Sequence, residues 1–564
     1  MKIQLSRRHF LKLTGAVGAA TALGLHHMPA HAQTAAVTRS IDLTLEQQAS
    51  RFLTQATMGP NPTLINEVAL LGPEAWLEAQ FNQPIGSLQP LVEEYLDELD
   101  EEDNHFYSTF SWAWWQQAMT SPDVLRQRIA LALSEIFVIS QENDELGSYP
   151  AGVANYYDML LRNSFGNFRD LLLDVSLHPA MGFYLSHVRN RKTNIAENRF
   201  PDENYAREIM QLFSIGLFEL NQDGTQKLDE TGNPIPTYGN EEITQMAKVF
   251  TGLTYAGLNV NHEEFLYGEP DYTRPMVMFE FEHEISDKHL LNGFTIFAGQ
   301  TGMKDIESAV DHLFNHENVG PFIGHKLIQR LVKSNPSPEY IARVSAAFND
   351  NGEGVRGDMQ AVIKAILLDP EARDTSFMND PTHGMLREPF IRYVHLLRAM
   401  NVQSRNGNFK NGGYYAHHSL KQYPMKSPSV FNFFLPNHQP LGPIGDADLV
   451  APEFQITTSV SAITGINYMN AVTWGQYVME LPEEEQEIDD QMTIFLDIED
   501  AENLVGNPDA LIDYLDLLLT YGTMSDQMRQ VIKTGMAPFE DEPMYQVFAA
   551  LYLITVSPEY AVMK

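Results

Sequence analysis

Apolar residues recur along most of this chain at helical spacing, bracketed by helix-start chemistry. Leu125, Ile129, Leu133 and Ile136 follow Ser121-Pro122-Asp123, which offers an N-cap, a proline at the first helical position and an early acid. Leu511, Leu515, Leu518 and Leu519 follow Asn507-Pro508, with Gly522 placed as a C-cap. The identical tetrapeptides Ser337-Pro338-Glu339-Tyr340 and Ser557-Pro558-Glu559-Tyr560 read as shared helix-start chemistry rather than an internal repeat. Period-two alternation marks residues 276–285, where Phe279, Phe281 and His283 oppose Glu280, Glu282 and Glu284. Closely spaced turns at 221–224 and 231–234 make residues 220–238 a hairpin-like excursion. The predicted fold is mainly α, a large multi-helical assembly with small β-hairpin insertions.

The N-terminus follows a different pattern. Ser6-Arg7-Arg8-His9-Phe10-Leu11-Lys12 is a twin-arginine motif, followed by a weakly apolar run and by Ala30-His31-Ala32, a small-x-small cleavage site. The run is too short and too rich in Gly and Ala to span a bilayer, and no later stretch is long enough, so no integral membrane span is expected. The predicted organisation is a signal over residues 1–32, a helical body over 33–404, and a C-terminal helical part over 405–564 packed on the same body. The boundary falls at the Gly- and Asn-rich stretch 405–415. The expected destination is the periplasm or the exterior.

Composition narrows the chemistry. The 564 residues include 74 acids, 37 Lys and Arg, 18 His and no Cys. Without Cys there are no disulfides, thiolate nucleophiles or Cys-ligated metal sites, so any metal would rest on His and carboxylates. A net charge of −37, which deepens to −41 when the signal removes four bases and no acid, argues against nucleic acid and anionic membrane surfaces as partners. The acidic tracts at 93–103 and 480–502 lack the alternating ligands and glycine of an EF-hand and read as solvated faces.

Three motifs have the spacing of chemistry without its context. Gly352-Glu353-Gly354-Val355-Arg356-Gly357 matches a dinucleotide fingerprint but follows a predicted helix where a strand is required, so it reads as a helix–helix connection capped by Asp358. His312 and His316 stand four apart but lack the intervening glutamate of a zinc helix. Glu280 and His283 have di-iron spacing, yet on a strand they point to opposite faces.

The most informative segment is Pro201-Asp202-Glu203-Asn204-Tyr205-Ala206-Arg207-Glu208-Ile209-Met210-Gln211. On a helix Asn204, Arg207, Glu208 and Gln211 form one polar stripe, which serves either as a buried ion-pair network or as a cleft-lining ligand site. Together with Tyr238, Thr251-Gly252, His283-x4-Lys288, His316-Glu317-Asn318-Val319, Leu386-Arg387-Glu388-Pro389 and Ser427-Pro428-Ser429-Val430-Phe431, this segment resembles the bacterial domain-of-unknown-function 1800 family. Departures from that family's pattern are Gln211 for glutamate, Asp202 for asparagine, Glu284 for aspartate and Glu317 for proline. The resemblance implies an exported bacterial protein and supplies no activity. It also implies, as a partner, another exported protein of the sulfatase-like type.

Three functional expectations follow. A metal-assisted hydrolase of extracellular polymers or esters would use Glu208, His283 and His178 around a divalent cation, with Glu203, Arg207, Glu208 and Lys288 as catalytic groups and His187 as an alternative ligand. A non-catalytic secreted scaffold would need none of these. A redox enzyme with a non-covalent cofactor would draw on the many Met and His.

Overall fold

Helix starts are built largely as the sequence predicts. In the computed structural model, which describes residues 41–99, 105–410, 416–474 and 494–564, Asn507 accepts from the Ala510 N–H and starts the helix Pro508–Thr520. Ser337 and Ser557 each accept from the N–H of the tyrosine three residues on. Their helices run twelve and four residues, which is what common cap chemistry without a repeat produces. The signal at 1–32, residues 411–415 of the Gly- and Asn-rich stretch, and residues 100–103 and 480–493 of the acidic tracts lie outside the described residues.

Helices dominate, and the strands are two-residue pieces forming small two-stranded antiparallel sheets. Two of these ladders join distant chain segments: Met385–Leu386 pairs with Val562–Met563, and Gln403–Ser404 with Ile494–Phe495. The excursion at 220–238 is hairpin-like, closed by bridges Phe218 to Pro236, Leu220 to Gln226 and Leu228 to Pro234. A hydrophobic cluster extends from Ala49 to Tyr560 and includes Trp76, Trp114 and Trp115. No helix among the described residues is long and apolar enough to cross a membrane.

Two local expectations fail for identifiable reasons. The helix after Ser121 starts only at Val124, because the Asp123 carboxylate turns away to the Gly86 N–H and the Gln127 amide. The strand at 276–285 stops after Val277–Met278, and Glu280–Glu282 becomes a 3-10 turn. Alternation would have exposed Glu282; instead it is buried against Arg191, 3.0 Å away, and His262, 3.1 Å away. Paired charge overrides the pattern there.

Buried cations recur at helix C-termini, where the last carbonyls lack intrahelical partners and the dipole is negative. Arg126 donates to Leu161 O in the last turn of Pro150–Asn163, and Arg128 to Arg330 O at the end of Val319–Leu331. Arg356, half-buried, donates to Phe314 O, the last residue of Gly302–Phe314, and the buried Arg387 to Tyr560 O in Pro558–Ala561. Arg398 Nη1 donates to Ala118 O in the last turn of Thr109–Thr120, at 2.8 Å, while its Nε donates to Gly59 O at 2.9 Å. Arg126, Arg128 and Arg398 tie their own helices to other helix ends in this way, and Arg356 and Arg387 reach them from connecting segments.

Replacing Arg398 by Met strands two buried carbonyls. The substitution is expected to cost about 2–4 kcal/mol of unfolding free energy. Urea denaturation beside a control at the exposed Lys304 (Lys304→Met) checks this; equal effects of the two would contradict the capping role.

Candidate functional site

The signature segment folds as the helix Asn204–Gln211, and its polar stripe divides. Glu203 and Arg207 are about four-tenths exposed and pair at 3.7 Å. Glu208 turns inward and is buried, with Oε2 unpartnered; burial raises its pKa, opposed by the charges of Arg207 and Lys326. Leu212, at the helix end, accepts from Lys326 Nζ at 2.9 Å.

His283 and Lys288 meet elsewhere. His283 Nε2 lies 3.0 Å and Lys288 Nζ 2.6 Å from Asp305 Oδ2, and all three residues are buried. Burial favours the neutral acid of Asp305, yet the hydrogen bonds from His283 and Lys288 outweigh it and lower its pKa. His283 Nδ1 faces Thr251 O at 2.9 Å, and Lys288 also donates to Glu284 O and Ser286 O. His178 is separate again: its Nδ1 accepts from Ala180 N–H, its Nε2 bonds Asn155 Oδ1, and burial depresses its pKa to about 3. His187 stacks on Tyr205 with its Nε2 on Ser176 O. Both nitrogens of His178 and His283 are thus engaged, and a metal bond needs a free lone pair. Among the described residues no three His, Asp or Glu form a group able to hold a metal, so the trio Glu208, His283 and His178 is not gathered into one.

What the fold does gather is a cluster of acids and guanidiniums. Glu135 follows the helix Val124–Ser134, Glu388 precedes Pro389–Ala399, and Glu453 sits in the 3-10 turn Pro452–Ile456. All three are buried, as are Arg128 and Arg330. The Gln422 amide donates to Glu135 and Glu388 together. Arg330 Nη1 stands 3.2 Å from Glu135 Oε2 without hydrogen-bond alignment, and its guanidinium stacks on Phe434 at 4.3 Å. Arg128 Nη1, Arg330 Nη1, Glu135 Oε2, Glu388 Oε1 and Glu453 Oε2 are each buried without a partner.

Two buried carboxyls in contact do not both ionise readily. Burial first, then the Glu388 charge and hydrogen bond, push the Glu135 pKa far above the usual range despite Arg330 and Arg128. Burial lifts Glu453 to about 8, with Glu388 adding to it. Lys326, one helical turn before Arg330, is lowered to about 7 by burial and by the Arg330 charge. Glu135, Lys326, Arg330 and Glu453 line one cavity of about 60 Å³, walled by Leu212, Val430, Phe431 and Phe434.

The sequence reading missed Arg128, Glu135, Lys326, Arg330 and Glu453. The one signal in the sequence was Arg128 standing within the helical apolar run Leu125, Ile129 and Leu133; the helix Val124–Ser134 is buried throughout, so that guanidinium finds an interior partner. Glu388 and the Ser427-Pro428-Ser429-Val430-Phe431 stretch carried the family resemblance but had not been weighed as chemistry.

Glu453 binds more protons folded than unfolded between about pH 4.5 and pH 8, so its contribution to stability falls as pH rises through that window. Thermal melts should show Glu453→Gln gaining on the wild type across it, by at most about 1.4 kcal/mol per pH unit. A difference constant with pH would contradict a neutral Glu453.

The family model described as "Protein of unknown function (DUF1800)" matches residues 51–562, and a twin-arginine translocation pathway signal sequence matches residues 4–24. No curated protein and no solved structure matches the chain. The chain belongs to the DUF1800 family and carries the signal for export by the twin-arginine route.

Proposed function

We propose that this exported protein is an acid–base hydrolase whose reacting groups line the cavity between Glu135, Lys326, Arg330 and Glu453. One observation carries the reading: a carboxyl held protonated at neutral pH and an amine held close to neutrality line the same small cavity. Acids and bases whose surroundings shift their pKa values towards neutrality within one cleft are the arrangement that acid–base catalysis uses. In this scheme neutral Lys326 takes a proton from the water whose oxygen attacks the reacting carbon, Glu453 gives a proton to the oxygen that leaves, and, for an ester, Arg330 faces the oxyanion that forms on the acyl oxygen. The pair Glu135 and Glu388 holds a proton beside Arg330 and keeps that guanidinium oriented. A cavity of about 60 Å³ admits only a small group, so the substrate is an ester or glycosidic linkage presented at the edge of a larger molecule.

A second reading, docking of another exported protein, is favoured by the exposure of Phe431 and Leu435 at the same cavity.

The mature chain, assayed against chromogenic esters and glycosides, is expected to hydrolyse one of these classes. The rate should rise with pH through about 7 as Lys326 loses its proton and fall through about 8 as Glu453 does. Glu453→Gln should fold and lose at least about a hundredfold in kcat. Hydrolysis unchanged in Glu453→Gln, or no hydrolysis of either class, would overturn the reading.

A further inference from the structure

A second cavity, built from different elements, has the lining of an amphiphile site. It measures about 260 Å³ and lies where the helix Pro389–Ala399, the helix Ser459–Thr473 and the turn into Pro558–Ala561 meet. Pro389 and Arg392, three apart on one helix face, form part of its wall, and Gly465, Ile466 and Met469 form another part. Ile466 is 44% exposed, so the cavity opens at the surface, and Val460 and Ile463 continue an exposed apolar stripe along the same helix.

The polar side chains of that wall are committed to backbone, with one exception. Ser461 donates to Ile456 O, Thr457 to Glu453 O and Thr555 to Tyr552 O, while Ser557 accepts from the Tyr560 N–H. The Arg392 guanidinium, half-buried, has no hydrogen bond and no carboxylate partner among the described residues. Its Nε is enclosed, whereas neither Nη1 nor Nη2 is, so the end of the side chain is accessible. Burial and the neighbouring Arg387 lower its pKa only to about 10, and it stays cationic at neutral pH. No acid among the described residues lines the cavity; Glu388 and Glu559, which adjoin lining residues in sequence, are bonded instead to Gln422 and Ser525.

An apolar wall favours hydrocarbon, and a lone accessible guanidinium within it favours a single carboxylate held by charge-assisted hydrogen bonds. We infer that this cavity binds a fatty acid, with the carboxylate on the Arg392 amino groups and the aliphatic chain against Leu420, Ile466, Met469 and Val556. At about 260 Å³ the cavity is slightly smaller than the roughly 300 Å³ of the smallest drug-sized sites, which limits the enclosed chain to a short or medium one. The site shares no lining residue with the Glu453 cavity, so it stands or falls independently of the hydrolase reading.

Gly465 offers a variant that leaves the cation in place: a Cβ there would meet only Leu420, at 3.9 Å, so Gly465→Leu fills the cavity from a position with room for a side chain. Isothermal titration calorimetry of the mature chain with octanoate, acetate and octanol separates head from tail. Octanoate is expected to bind saturably and at least about tenfold more tightly than acetate or octanol. Arg392→Gln should weaken octanoate at least about tenfold and leave octanol unchanged, whereas Gly465→Leu should weaken both. If Arg392→Gln does not fold, the wild-type preference for octanoate over octanol and the loss in Gly465→Leu still decide. Absence of saturable octanoate binding, acetate or octanol binding as tightly as octanoate, or octanoate binding undiminished in either variant would each overturn the site.

Discussion

The interaction on which this structure depends is the capture of helix C-terminal carbonyls by buried cations. A chain with no cysteine and, among the described residues, only two-residue strands has few ways to fix many helices against one another. Apolar packing is non-directional and leaves helix ends unsatisfied where they are buried. Arg126, Arg128, Arg356, Arg387 and Arg398 resolve both problems, since a planar fork of donors satisfies carbonyls and fixes geometry together. Lys326 does the same for the signature helix through Leu212 O. Several of the few bases of an acidic protein, Arg126, Arg128, Arg387 and Arg398 among them, are thus placed inside, where each has a defined structural task.

That arrangement also creates the candidate site. Arg128 spends one amino group on Arg330 O, which holds the end of Val319–Leu331 against the helix Val124–Ser134 and sets the Arg330 side chain beside Glu135. With the guanidiniums partly committed to backbone, the carboxyls of Glu135, Glu388 and Glu453 are left short of donors in a buried place. The physical response is protonation, the direction found for Glu135 and Glu453. A structural device and a reactive environment therefore share the same atoms. The triad His283, Asp305 and Lys288 is the contrasting case: nearly every donor there is matched, and the carboxylate is held ionised.

Much of the fold was legible because caps and periodicity are local. Asn507, Ser337, Ser557 and Asp358 all cap as their neighbours in sequence require, and the glycine-rich 352–357 stretch connects two helices. Residues 276–285 were not legible, since the pairing of Glu282 with Arg191 and His262 is a tertiary event. The site was legible in part. Glu208 and the segments 386–389 and 427–431 stood out, and Leu212, Val430 and Phe431 line the cavity. Glu135, Arg330 and Glu453 carry no local signature, because their chemistry comes from being buried together across three distant segments. Acidic residues in a strongly acidic chain look like surface until a fold encloses them.

The central claim is that buried carboxyls in this cluster remain protonated at neutral pH. Infrared spectroscopy of the C=O stretch of neutral carboxyl groups reads this without assuming any activity. The account predicts a protonated-carboxyl band at pH 7 that diminishes in Glu453→Gln and, in the wild type, loses the same component only as pH passes about 8. A spectrum with no protonated-carboxyl band above about pH 6 would contradict it, because every acid of the cluster would then be ionised in the ordinary range.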